Sequence, residues 1–87
     1  MTVLAKTFVP GLTREQYEEL GARLTDQVKS TPGFIAHYAW EGDGGMNVVE
    51  IWESAEQHDA WFNDTIRPNL PAEATQEKHE LINTVTP

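Results

Sequence analysis

Two four-residue strings, "TREQ" at 13–16 and "SAEQ" at 54–57, restrict this chain more than any other feature. Each sets a hydroxyl residue three positions before a glutamine, the pattern of a helix N-terminus in which side chains and backbone cap one another. Each also follows an alternating apolar stretch and precedes apolar residues spaced three and four apart. "TVLAKTFV" (2–9) sets Val3, Ala5, Thr7 and Val9 against Leu4, Lys6 and Phe8, and Pro10-Gly11 ends it. Tyr17, Leu20, Leu24 and Val28 then mark one face of a helix, closed by Thr31-Pro32-Gly33. "FIAHYAWE" (34–41) and "MNVVEIWE" (46–53) predict two strands around a "GDGG" turn at 42–45. The second helix buries Trp61, Phe62, Ile66 and His58, and Pro68 and Pro71 stop it. A polar connector, "AEATQEK", and a last strand, "HELINTV" (79–85), complete the chain.

The resulting order is βαββαβ. Right-handed crossovers turn it into an α+β, ferredoxin-like fold: a four-stranded antiparallel sheet with both helices on one face. The length of 87 residues suits one domain, residues 1–87. A domain of this size hides only about 60–65% of its chain surface. No cysteine is present to staple it, so oligomerisation is the remaining common support. A net charge of −8 with six basic residues argues against nucleic acid and against anionic membranes. No apolar run approaches a membrane span and no signal-peptide pattern opens the chain, so a cytoplasmic setting is the default. His37, His58 and His79 have no metal-ligand spacing, and no phosphate loop or nucleophile elbow occurs.

An even turn centred on Asp43-Gly44 pairs residues whose numbers sum to 87, so 37 faces 50, 39 faces 48 and 35 faces 52. One side of the hairpin then carries Ile35, His37, Ala39, Val48, Glu50 and Trp52. The other carries Phe34, Ala36, Tyr38, Trp40, Asn47, Val49 and Ile51. Helices cover only one side of a single sheet. The second side predicts pairing with another copy of itself, giving a homodimeric barrel.

On the helix side, His37 and Glu50 become cross-strand neighbours with Cβ atoms about 4.5–5.5 Å apart. Such a pair is either a buried contact that fixes strand register or a general base held by a carboxylate in an apolar cleft. Trp52 and Phe62 serve as core or as cleft lining. Trp61 needs a partner for its indole N–H if buried. Tyr17 can turn its hydroxyl into the cleft, and Arg67 caps the negative end of the second helix.

"FVPGLTREQYEEL", "PGFIAH" and "NVVEIWESAEQHDAWF" together resemble the dimeric α/β-barrel superfamily, specifically antibiotic-biosynthesis-monooxygenase-like domains. The most specific piece is Trp-Glu-Ser at 52–54 with a second aromatic nine residues after Trp52. The resemblance implies a homodimer with a cavity between helices and sheet in each subunit. It also implies a choice among cofactor-free quinone-forming monooxygenases, heme-degrading monooxygenases and polyketide cyclases. Trp61 matches the helix Trp that presses on heme in the heme-degrading members. Pro71 stands where their heme-ligating His falls, and the first strand lacks their Asn. In a polyketide cyclase of the superfamily the catalytic Tyr and His fall at Trp61 and near Arg67. The combined reading is a cofactor-free enzyme, of monooxygenase or cyclase type, acting on a small aromatic or polyketide-like molecule. His37 and Glu50 would be its catalytic pair. Tyr17, Trp52, Trp61, Phe62 and Arg67 would contact substrate. The rivals are a non-catalytic small-molecule-binding or stress-related barrel and a purely structural dimerisation domain.

Overall fold

The computed structural model describes residues 1–87. Strand β1 (Val3–Pro10) leads to helix α1 (Arg14–Lys29), strands β2 (Phe34–Gly42) and β3 (Gly45–Trp52), helix α2 (Ala55–Trp61) and strand β4 (Thr75–Glu80). The four strands form one antiparallel sheet in the order β2-β3-β1-β4, as the ferredoxin-like reading requires.

The caps explain why the helices begin where they do. At α1 the Thr13 hydroxyl accepts from the Gln16 amide at 3.2 Å, and the Gln16 side chain accepts from the Thr13 amide at 3.0 Å. At α2 only half of the expected box forms. The Ser54 hydroxyl accepts from the Gln57 amide but donates to the Gln57 side chain, so that side chain does not reach back to the Ser54 backbone. Gln57 lies instead against Gly33, whose φ of +93° and lack of a Cβ leave it room.

The second helix is shorter than its apolar spacing predicts. Residues Phe62–Ile66 widen into a π turn and Arg67–Asn69 tighten into a 3-10 turn. Pro68 has no N–H to continue an α ladder. The Arg67 amide bonds to the Phe62 carbonyl, five residues back, and the helix unwinds over its last turns.

Two further expectations are corrected. The last strand is Thr75–Glu80, not 79–85, and most of the supposed connector belongs to it. Its sequence is polar because it is an edge strand, held to β1 by backbone pairing, which needs no apolar alternation. The apolar residues that suggested a later strand lie outside it, with Ile82 fully exposed. The second correction concerns β2. A two-residue turn at Asp43 (φ 56°) and Gly44 (φ 79°) gives the even register expected, with His37 opposite Glu50 and Ala39 opposite Val48. A β-bulge between Phe34 and Ala36 then puts Phe34, not Ile35, opposite Trp52. One extra residue exchanges the faces below it. Phe34 packs against the core from the helix side, and Ile35 is exposed.

The core is small. Val3, Val28 and Trp52 form its centre, with Phe34, Ala55 and Trp61 against it. Val28 is the only buried residue of α1; the N-terminal part of the helix meets β2 through side chains, with Arg14 on Glu41 and Tyr17 on His37. On the opposite side of the sheet Tyr38 and Trp40 are 63% and 48% exposed, beside partly covered Val49 and Ile51. No helix is long and apolar enough to cross a membrane.

Asp59 ties α2 to the sheet edge by accepting from Lys78 on β4 and from the ring of His58. Burial alone would raise its carboxyl, but the Lys78 ammonium and the His58 ring outweigh that and hold it below its ordinary value. A carboxyl lowered in the folded state stabilises above its unfolded pKa of about 4 and loses that contribution as pH falls through the folded value. The Asp59 side chain is 40% exposed, which limits the gain to well under 1 kcal/mol. Asp59→Asn is expected to melt slightly below the native chain at pH 7 and level with it at about pH 2. Thermal melts across that range check this.

Candidate active site in the trough between helices and sheet

A half-open cavity of about 390 Å3 lies beneath α1. The helix lines it with Tyr17, Leu20, Gly21, Leu24, Thr25, Val28 and Lys29, a regular stripe of steps of three and one. The floor is Thr7 and Val9 from β1, Ala36 and His37 from β2, and Val48 and Glu50 from β3. Trp61, Phe62, Ile66 and Leu70 form the other wall. Phe62 and Ile66, at the two ends of the π turn, both face this space.

Four side chains form one connected line from the core beneath the floor to the cavity. The Trp52 indole N–H donates to Glu50 Oε1 at 3.1 Å. Glu50 Oε2 lies 2.7 Å from His37 Nδ1. His37 Nε2 meets the Tyr17 hydroxyl, and the two rings stack with centroids 6.1 Å apart. An ionised carboxylate only accepts, so Nδ1 carries the ring proton and Nε2 accepts from the Tyr17 O–H. The Glu50 side chain is 7% exposed and that of His37 is 32% exposed, so the imidazole bridges a buried anion and an open cavity. Burial, and then the charge of Glu50, push the Tyr17 hydroxyl above the ordinary tyrosine value. Tyr17 therefore keeps its proton at neutral pH and serves as a donor.

Of the residues expected to form a site, Tyr17, His37, Glu50, Trp61 and Phe62 meet at the cavity. Trp52 and Arg67 do not. Trp52 is completely buried beneath the floor, wedged against Phe34, His58 and Trp61. Arg67 is exposed; it bonds to Asn63 and lies over the Phe62 ring, 5.3 Å from its centroid. The Trp61 indole N–H is buried without a partner. His58 is 1% exposed and stacks on Phe62, and its Nδ1 meets Asp59. Lys6 points to the outer sheet face, away from Glu50. Two features were missed in the sequence. Glu50 and Trp52, two apart on one strand, share a face, and that spacing alone could have suggested the bond between them. Gly21 and Thr25 lie one step beyond Leu20 and Leu24, where a wider helical stripe would have included them.

The sequence pattern of the antibiotic biosynthesis monooxygenase family matches residues 1–66. The chain belongs to that family. Solved structures of similar shape surround this monooxygenase-family chain. The heme-degrading protein of Mycobacterium tuberculosis, in its heme-free form, is 26% identical, with a TM-score of 0.71 over 100% of this chain and 98% of that one. SnoaB, a cofactor-independent oxygenase of Streptomyces nogalater, is 14% identical, with a TM-score of 0.66 over 97% and 95% of the two chains. A protein of unknown function from Nitrosomonas europaea is 20% identical, with a TM-score of 0.69 over 100% and 96%. Among curated proteins none matches the sequence. The fold is thus that of small-molecule monooxygenases of this family.

Since one of these relatives degrades heme, the lining can be tested for a heme ligand. His37 is the only imidazole on the cavity, and both its nitrogens are engaged, by Glu50 and by Tyr17. A heme iron would have to break the Tyr17 bond to find a free nitrogen. Position 71 is proline, and no group of three or more His, Asp or Glu side chains is placed to hold a metal ion. These residues do not fit heme through an axial histidine, and no step is derived through it.

Proposed function

We propose that this chain is a small-molecule enzyme of the monooxygenase family that needs no heme, metal or organic cofactor. The observation that carries the reading is the line Glu50–His37–Tyr17, running from a buried carboxylate to an apolar cavity. The substrate class is an aromatic or polyketide-like phenol or carbon acid, small enough for about 390 Å3.

Catalysis begins with proton removal. Tyr17 presents its hydroxyl oxygen to the substrate and its proton to His37 Nε2. As the substrate proton moves onto the Tyr17 oxygen, the Tyr17 proton passes to the imidazole. Glu50 stabilises the imidazolium, and the tyrosine ends the step protonated. It is then placed to hydrogen-bond the substrate anion. In a methylene compound flanked by aromatic rings, the anion reacts with dioxygen. One oxygen atom becomes the new carbonyl and the other leaves as water with the two methylene hydrogens, so the balance closes without an external reductant. In a substrate with an internal carbonyl, the same anion can close a ring. Trp61 and Phe62 line the wall and give the anion an apolar surface to lie against.

The exposed face with Tyr38 and Trp40 suits a second copy of the chain, which would give a homodimeric barrel with one cavity per subunit. Trp40→Glu is expected to convert a dimer into a monomer, read by sedimentation velocity. A native chain that sediments as a monomer would end that part of the reading. A cytoplasmic setting goes with this role.

The activity is tested by offering the native protein a panel of phenolic and polyketide carbon acids and following dioxygen uptake and ring closure. Turnover of one class above the buffer rate supports the enzyme. Tight binding across the panel with no turnover would identify a non-catalytic binding protein.

A further inference from the structure

Trp52 was expected on the cleft wall, yet it is buried below it and spends its one polar atom on Glu50. The two oxygens of Glu50 have one partner each. Oε1 takes the Trp52 N–H and Oε2 faces His37 Nδ1. These partners differ in kind. An imidazole nitrogen can donate or accept, whereas an indole N–H only donates. Phe34 and His58 meet the Trp52 ring edge-on and Trp61 lies tilted against it, so the indole has nowhere to turn.

We propose that Trp52 is a positioning residue that sets the direction of the proton relay. Its donor favours Glu50 as the anion, because a hydrogen bond to a carboxylate is stronger than one to a neutral carboxyl. The anion requires Nδ1 of His37 to carry the proton, and Nε2 is left open to receive one through Tyr17. This assignment rests on the proton-abstracting role given to His37, and it explains why an acid and a tryptophan alternate on one face of β3.

Without the indole N–H, a second arrangement with one more proton becomes easier to reach. Glu50 would then donate to Nδ1, and Nε2 would carry a hydrogen and could no longer act as a base. The titratable group facing the pair from α1 is Tyr17. From β1 the neighbour is Ala5, and from α2 the nearest titratable pair, His58 with Asp59, lies behind the Trp52 ring.

The test is nitrogen-15 NMR of the His37 ring in the native protein, Trp52→Phe and Glu50→Gln. It needs no substrate, so it stands or falls separately from turnover. The native ring should show a protonated Nδ1 and a bare Nε2 at pH 7. Trp52→Phe keeps an aromatic ring in the core but removes the donor. Its His37 should take a proton at a pH about one unit higher, because a hydrogen bond to an anion favours the anion. If an active substrate is found, kcat should lose its acid limb at correspondingly higher pH, with KM little changed. Glu50→Gln covers the case in which Trp52→Phe does not fold. Its amide accepts from Trp52 and donates to Nδ1, so His37 should switch to the Nε2–H tautomer. A Trp52→Phe ring with native tautomer and native titration would overturn the proposal. So would a Glu50→Gln ring that keeps its proton on Nδ1.

Discussion

Replacing His37 by alanine is expected to lower kcat/KM on an accepted carbon acid by about 10²–10⁴, the range a positioned general base contributes. The loss follows from geometry. With the ring gone, Tyr17 has no acceptor for its proton. Its hydroxyl, already held above its ordinary pKa by burial and by Glu50, is a poor base alone. Glu50 lies deeper in the floor than the imidazole and makes no bond to the Tyr17 hydroxyl, so it does not take over the relay. Substrate affinity should change little, because Trp61, Phe62, Leu20 and Leu24 still enclose the trough. The alanine variant also leaves a buried carboxylate short of one donor, a cost of about 1–3 kcal/mol. His37→Gln separates the two effects. A glutamine amide can donate toward Glu50 but offers no basic nitrogen, so stability should recover in part while activity stays low. Steady-state rates with both variants, beside their urea melts, check the assignment.

Trp52→Ala should produce the largest loss of stability from any single side chain. The indole is completely buried at the centre of the core, where it touches Phe34, His58, Trp61 and Val28 and holds Glu50. Truncating a buried Trp to Ala costs about 3–5 kcal/mol through lost burial and the cavity left behind. An unfolding free energy near the low end of the usual 5–15 kcal/mol would be mostly consumed. In a domain this size, 1 kcal/mol moves Tm by about 4–8 °C, so a drop of at least 12 °C is expected. Since Trp52 supports the floor and not the lining, the change should appear in folding before it appears in the shape of the cavity. Calorimetry of the two proteins at equal concentration would show it.

The parts of this molecule that were legible in the sequence are those governed by local chemistry. Thr13 and Ser54 announce helix starts because a hydroxyl in that position satisfies amides that the helix leaves free. Asp43-Gly44 fixes hairpin parity because both residues take positive φ, and parity alone brings His37 opposite Glu50. The misplaced features depend on distant neighbours. The bulge that exchanges Phe34 and Ile35 answers to packing beside Trp52, not to any glycine or proline signal in the strand. Strand β4 carries no alternation because β1 supplies its partners and solvent covers its far edge. The hollow beneath α1 was not visible either. An apolar stripe such as Tyr17, Leu20, Leu24 and Val28 looks the same whether it closes on the sheet or stands away from it.

The proton-transfer step can be observed apart from oxygenation or ring closure. Without oxygen, in deuterated buffer, an acidic methylene compound held in the trough should exchange its hydrogens for deuterium faster than buffer alone achieves. His37→Ala should bring the rate back to the buffer value. Exchange that proceeds equally fast in that variant would contradict the account and move the base elsewhere in the molecule.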